Sequence, residues 1–529
     1  MKLGRRAFLA SGAAAGVASG GTLDAAQMDL AWALLASEHR VPDWFRDAKF
    51  GIWAHWGPQC QPEAGDWYGR LMYVQGQPAY DHHVKHYGHP SRIGFLDIIG
   101  QWKAERWDPA YLLDRYRKAG ARYFMAMACH HDNLDLFDSR HHKWNSVRVG
   151  PKRDIVGTWE RIVRQTDLKF AVSNHSSHAW HWWQTAYGYD AEGPSKGRRY
   201  DAYWRRAKQV RGKWWDGLDP QELYTGPTYV PPDGLSTIAA MTAWHDQRDG
   251  QWLEDVPPER QAFADQWLRR QMDLVERYKP DMVYFDDYQI PFGRRGLEAV
   301  AHFYRRSAAW HGETGIVTAK RLNGLQKRAI VEDVERGFVA DIQPQPWQTD
   351  TCIGNWHYDR ALYERDGYKS GRDVIQRLVD VVSKNGNLML NIPVRGDGTI
   401  DDKEERVMDD ITAWMSVNGD AIHGSRPWQV FGEGPTKPPV GSMAEDEAKP
   451  FVAEDIRFTR KGDALHAFFM LPPSGEVRIA SLRDARVEQV TFQDGRPLPF
   501  RRDADALVVT VPATNFLVPR ITLRGRGLV

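Results

Sequence analysis

Between about residue 40 and residue 420, short apolar runs alternate with amphipathic helical patterns, and most runs end in polar residues. Lys49–Trp56, Arg122–His131, Lys169–Ser177, Met282–Asp287, Gly315–Lys320, Ala329–Glu335 and Asn387–Pro393 have the near-continuous apolar character of strands buried on both faces of a parallel sheet. The segments between them are punctuated as helices. Asp108-Pro109 supplies an N-cap and a first-turn proline, Tyr111, Leu112 and Tyr116 mark an apolar face, and Gly120 closes it. Phe263, Trp267, Leu274 and Tyr278 recur near helical spacing, as do Val374, Ile375, Leu378, Val379 and Val382. Alternation on this scale predicts an α/β fold with a parallel sheet, and its length favours closure into a (β/α)8-like TIM barrel. Neither G-x-G-x-x-G nor G-x-x-x-x-G-K-[ST] follows any run, which removes the main argument for a nucleotide-binding sheet.

The 529 residues exceed one ordinary core. Residues 433–450 form a Pro/Gly/charged break. Beyond it Ile456–Phe458, Ala464–Met470, Glu476–Ile479, Val487–Phe492 and Leu507–Val511 alternate with turns, which predicts a C-terminal antiparallel β-sandwich over 431–529. The barrel would then occupy 28–430, with a polar, aromatic-rich insertion at 185–260 that reads as a lid, an extra subsite or a rim decoration. At the start of the chain, Gly4-Arg5-Arg6-Ala7-Phe8-Leu9 precedes a mildly apolar stretch too short to span a bilayer. It resembles a twin-arginine export signal, assigned here to residues 1–27, and predicts a periplasmic or secreted protein with no membrane attachment after signal removal. Lys+Arg 70 against Asp+Glu 69 gives a net charge of +1, which offers no electrostatic footprint for nucleic acid. Cys60, Cys129 and Cys352 are too scattered for a disulfide framework. The 23 Trp, many beside Gly, His or Asp, suit sugar rings with a C–H face and a hydroxyl rim.

In such a barrel, function collects at the carboxyl ends of strands. Those ends read His55-Trp56, His130-His131-Asp132-Asn133, Asn174-His175, Asp286-Asp287 and Glu332-Asp333-Val334-Glu335. Two chemistries could use them. The imidazoles could ligate a metal, but adjacent His130 and His131 on a strand would point to opposite faces, and the first strand has no H-x-H pair. Alternatively, a carboxylate pair could cleave a glycosidic bond: one attacks or activates water while the other protonates the leaving oxygen. Asp286 ends one strand, and Glu332 or Glu335 ends a later one.

At these residues the chain resembles glycoside hydrolase family 29, the retaining α-L-fucosidases. The resemblance is carried by Trp44-Phe45-Arg46 through Lys49–Gly57, by Gly65-Asp66-Trp67-Tyr68, by His130-His131-Asp132 with Phe137-Asp138-Ser139, and by Lys279–Asp286. Asn387–Pro393, Asp397-Gly398, Val417-Asn418-Gly419 and Arg426-Pro427-Trp428 resemble its closing section. The resemblance implies Asp286 as nucleophile, and His55, His130, His131 and His175 as hydroxyl-binding groups together with Asp66, which replaces the family's Glu. It implies that Trp67 and Trp356 pack on the ring edge and the C5 methyl. Glu335 is the favoured general acid/base, with Glu332 as the alternative. Gln348 stands where some members carry a Glu and cannot donate a proton. Asp287 and Asn133 stand where Gly is common. The implied activity is retaining release of terminal α-L-fucose from a fucosylated oligosaccharide or glycoconjugate, with no metal or organic cofactor. An oligomer is compatible with the sequence. The competing readings are a non-catalytic barrel that binds fucosylated glycans and a metal-dependent barrel hydrolase.

Overall fold

The computed structural model describes residues 24–207, 212–473 and 475–528. Residues 1–23, which carry most of the predicted export signal, lie outside the described residues. Asp24 caps the first helix among the described residues, α1 (Ala25–Glu38), in a capping box with Gln27, inside the segment assigned to the signal.

Eight parallel strands close into a barrel in chain order: β1 (Phe50–Ala54), β2 (Tyr123–Cys129), β3 (Lys169–Asn174), β4 (Met282–Tyr288), β5 (Ile316–Lys320), β6 (Val331–Asp333), β7 (Trp347–Cys352) and β8 (Gly386–Asn391). Helices α2 (Pro109–Lys118), α3 (Ile155–Val163), α4 (Gln261–Tyr278), α5 (Arg294–His311), α6 (Gly371–Ser383) and α7 (Asp402–Ile422) belong to the surrounding layer. The Asp108 side chain accepts from Tyr111 N at 3.0 Å, as an N-cap should. Tyr111 is half-exposed rather than part of the buried face, which consists of Leu112, Leu113 and Tyr116.

Strand alternation sorts the side chains into two layers. Tyr123, Met125, Ala171, Met282, Tyr284, Ile316, Val331 and Met389 fill the barrel interior over Phe45. Phe124, Phe170, Val172, Val283, Phe285, Val317, Leu388 and Leu390 face the helices. β7 was absent from the predicted strands because Gln348 and Asp350 point inward while Thr349 and Thr351 bond outward to Val334 and Glu445. The strand is buried along its whole length yet shows no apolar periodicity. The run predicted as Ala329–Glu335 holds only the short β6, and Glu335 lies in the loop beyond it.

The C-terminal region is a sandwich of a five-stranded sheet, ordered β13-β16-β11-β10-β9, and a three-stranded sheet, ordered β12-β15-β14. Its strands are β9 (Arg426–Glu433), β10 (Ile456–Lys461), β11 (Ala464–Phe469), β12 (Gly475–Ile479), β13 (Arg486–Phe492), β14 (Phe500–Arg502), β15 (Leu507–Val511) and β16 (Arg520–Arg526). Its own core includes Trp428, Phe458, Leu465, Ile479, Phe492, Val509 and Leu523. β9 spans the expected boundary at residue 430 and pairs with β10. Trp414 of α7 donates to Val518 O at 2.7 Å, and the Arg457 guanidinium meets Asp380 of α6 at 2.6 Å, so the two regions share a buried seam. Among the described residues, no helix is long and apolar enough to cross a membrane.

Candidate active site

The carboxyl ends of the barrel strands surround a cavity of about 380 Å³. His55, Asp66, Trp67, His130, His131, His175, Asp286, Glu335 and Trp356 all line it. Asp286 is seven per cent exposed on the inner face of β4. It meets the Lys320 ammonium, His175 Nδ1 at 3.0 Å and His131 Nε2 at 3.3 Å, and accepts from the Tyr284 hydroxyl at 3.4 Å. Burial alone would push the Asp286 carboxyl up, but Lys320, His175 and the imidazole hydrogen bonds together hold it well below the usual carboxylate range. It is therefore an anion at any ordinary pH, with one edge facing the cavity.

Lys320 ends β5 and contacts two carboxylates: its Nζ also lies 2.7 Å from Glu335 Oε2. Two ammonium–carboxylate contacts of about 2.7–2.9 Å limit the nearest oxygens of Asp286 and Glu335 to roughly 5.5 Å. A bound of this size admits a retaining pair, whose carboxyl groups stand about 5–5.5 Å apart. Glu332, one position into β6, points out of the barrel and pairs with Lys327 at 2.8 Å. It does not reach the cavity.

Imidazoles form one wall of the cavity. β2 stops at Cys129, so His130 and His131 are beyond the strand and both rings face the cavity, with centroids 4.4 Å apart. The expectation that strand geometry would separate them fails for that reason. Gln59 Nε2 donates to His130 Nδ1 at 2.6 Å, which leaves the other ring nitrogen of His130 as a donor toward the cavity. Burial keeps His55 and His130 well below the ordinary histidine range, so both act as neutral hydrogen-bonding groups. Neither ring nitrogen of His55 has a protein partner. Asp66 accepts from Trp356 N at 3.1 Å and His357 N at 2.7 Å, which fixes the turn carrying Trp356. Trp67 stacks on Trp252 of the insertion, with centroids 6.2 Å and planes 16° apart.

Several cavity residues were not singled out from sequence: Trp53, Trp252, Tyr284, Lys320, Asp350 and His357. Lys320 carried a usable signal, a cation closing an apolar strand. Asp350 did not, because its strand was invisible. Asp350 accepts from the Tyr284 hydroxyl at 3.0 Å, and burial followed by the Glu335 charge pushes its carboxyl up to about 7. The break at 433–450 also returns to the cavity: Met443 lines it and donates its N–H to Glu335 O at 2.7 Å.

Asp287 turns away from Asp286 into the outer layer and is fully buried beside Ser177 Oγ, 2.5 Å away, and His178 Nε2, 2.9 Å away. Burial pushes Asp287 up to about 7 and Glu254, its neighbour from the insertion, up to about 10. Among the described residues, potential ligand atoms converge in three groups: His55, His130 and His357; His130, His131 and His175; and His178, Glu254 and Asp287. The first two line the cavity.

The family model described as Alpha-L-fucosidase matches residues 17–420. The chain belongs to the α-L-fucosidase family. Tissue alpha-L-fucosidase of Rattus norvegicus is 24% identical over 464 residues, covering 85% of this chain and 81% of the relative. The Homo sapiens tissue enzyme is 24% identical over 459 residues, with 85% and 80% covered. The crystal structure of Thermotoga maritima alpha-fucosidase superposes with a TM-score of 0.66 at 26% identity, covering 92% of this chain and 97% of that one. A Paenibacillus thiaminolyticus alpha-L-fucosidase shares the fold, with a TM-score of 0.61 at 19% identity over 92% and 98% of the two chains. As a member of the α-L-fucosidase family, this chain has a physical reason for at least one departure. Asn133 sits at φ 62°, a left-handed conformation that Asn tolerates better than other non-glycine residues, and its Oδ1 accepts from Arg270 at 2.7 Å.

Proposed function

We propose that the chain is a retaining exo-α-L-fucosidase acting on terminal fucose of glycans or glycoconjugates, with Asp286 as nucleophile and Glu335 as general acid/base. The observation that carries this reading is the shared contact of both carboxylates with Lys320 in a cavity walled by imidazoles and tryptophans. In the first step Asp286 attacks the anomeric carbon, the glycosidic C–O bond breaks, and the Glu335 carboxyl proton passes to the leaving oxygen. In the second, Glu335 takes a proton from water, the water oxygen bonds to the anomeric carbon, and the Asp286 ester bond breaks. Lys320 couples the two steps. Its ammonium lies against the Asp286 anion before attack and against Glu335 throughout, so it holds both groups in place across the two displacements.

Trp356 and Trp67 supply apolar faces for the ring edge and the methyl group, and His55, His130, His131 and His175 supply partners for the hydroxyls. The test is hydrolysis of an activated aryl α-L-fucoside and of a fucosylated oligosaccharide. Glu335→Ala should lose about 10²–10³-fold on the oligosaccharide and far less on the activated aryl fucoside, whose leaving group needs no proton. Equal losses on both would count against Glu335. A metal-dependent mechanism is disfavoured because Asp286 spends its contacts on Lys320 and two imidazoles rather than on an open ligand position.

The Arg5-Arg6 pair with its mildly apolar continuation supports export through the twin-arginine route to the periplasm or beyond. Replacing both arginines by lysine should retain the protein in the cytoplasmic fraction, and unchanged fractionation would refute this.

A further inference from the structure

On the far side of β4 from the nucleophile, Glu254, Asp287 and His178 each bring one ligand atom within 4.8 Å of the others. Glu254 uses Oε1 to accept from Tyr288 N at 2.7 Å, which leaves Oε2 buried without a partner. Asp287 uses Oδ1 for Ser177 Oγ, which leaves Oδ2 buried without a partner. His178 is fully buried, and its Nε2 also lacks a hydrogen-bond partner although it is 2.9 Å from Asp287 Oδ1 and 3.7 Å from Glu254 Oε2. The ring is oriented from behind. His181 Nδ1 lies 3.3 Å from Asp249 O, which can only accept, and His181 Nε2 lies 3.0 Å from His178 Nδ1. In neutral rings this relay places the His181 proton on Nδ1 and the His178 proton on Nδ1, and leaves a bare lone pair on His178 Nε2. Burial and the Asp287 charge hold the Glu254 carboxyl protonated, up to about 10, and a cation that displaces that proton would meet the His178 lone pair and both carboxylates, one ligand atom of each lying within 4.8 Å of the others.

We propose that His178, Asp287 and Glu254 bind a divalent transition cation of the Zn²⁺ class, which ties the 185–260 insertion to the barrel beside the fucose cavity. One imidazole nitrogen with two carboxylate oxygens is the donor set such ions take, whereas Ca²⁺ and Mg²⁺ favour oxygen alone. The 3.7 Å separation of His178 Nε2 and Glu254 Oε2 is close to the edge of about 3.3–3.6 Å expected between ligands bound at about 2.0–2.2 Å in a tetrahedral site. A hydrogen-bonded backing group on the far ring nitrogen is the usual support for a ligating histidine. The consequence reaches the cavity through Trp252, which lies two residues before Glu254, packs against His178 with ring centroids 3.8 Å apart and planes tilted by 30°, and lines the fucose pocket. The ion is a clamp on the insertion and takes no part in bond breaking.

Purified full-length protein, stripped with a chelator and titrated calorimetrically with Zn²⁺ alone, should bind one equivalent and gain thermal stability. Glu254→Gln and His178→Gln should each weaken that binding by more than about tenfold. Absence of binding in the unsubstituted protein would overturn the proposal. So would binding that both variants retain, since the pocket imidazoles would then be the ligands. Anomalous diffraction at the zinc edge from zinc-soaked wild-type crystals separates these outcomes without any variant: a peak among His178, Asp287 and Glu254 supports the site, and a peak among His55, His130 and His357 refutes it. Neither readout depends on fucosidase turnover.

Discussion

Two buried aspartates in this molecule are surrounded by similar chemistry and do different things. Asp380 sits in the seam between barrel and sandwich, where Lys384 at 2.9 Å and Arg457 at 2.6 Å occupy both of its oxygens and its side chain is two per cent exposed. Asp286 is compensated by Lys320 and two histidines, yet its side chain keeps eleven per cent exposure on the cavity side. In both, burial would raise the carboxyl, and cations bring it below the ordinary value instead. The difference is access. A fully saturated carboxylate anchors two elements, while one with a free edge in a walled cavity can attack a carbon held against it.

Substitutions should separate the two roles. Asp286→Gly should cut turnover by about 10⁴-fold or more with an unchanged melting temperature, and added azide should restore part of it by replacing the lost nucleophile. Asp380→Ala should leave two buried cations without their counter-charge and lower unfolding stability by about 3–5 kcal/mol in urea titrations, with kcat per folded molecule unchanged. If Asp380→Ala altered kcat as much as stability, the comparison would break.

The pH dependence sharpens it further. Asp380 has a lowered folded-state pKa, so its stabilising contribution is present above about 3.8 and is lost as pH falls through the folded value. Asp350 has a folded value raised to about 7, so the folded state binds its proton more tightly. Its contribution is present below the unfolded value and fades as pH rises toward 7. Relative to wild type, Asp350→Asn should therefore gain melting temperature as pH rises from about 4 to 7 and flatten above it. Asp380→Asn should show its loss most fully near neutrality and least in strong acid.

Much of this was legible from residues alone, for identifiable reasons. β1 to β5 and β8 are apolar on both faces because helices cover one side and the barrel interior the other, and that pattern survives in sequence. The barrel followed by a sandwich is the expected fold. β7 was not legible: Gln348 and Asp350 bond inside the barrel and Thr349 and Thr351 bond outside it, so polar pairing replaces the periodicity that reveals a strand. Asp350 was lost with it. Glu335 and Glu332 could not be ranked by geometry before their directions were known, since one lies beyond β6 and the other on its outward face. Glu254 and Trp252 sit inside an insertion whose composition announces function but not which side chains fold back, and their neighbours His178 and Asp287 come from separate strand ends.

The most direct test of the account is to trap the intermediate. Incubation with a 2-deoxy-2-fluoro-α-L-fucosyl donor bearing a good leaving group should slow release of the ester, and intact-mass analysis with peptide mapping should find one fluorofucosyl group on the peptide containing Asp286. Absence of any adduct during turnover, or an adduct mapped to Glu335, would contradict the assignment of Asp286 as nucleophile.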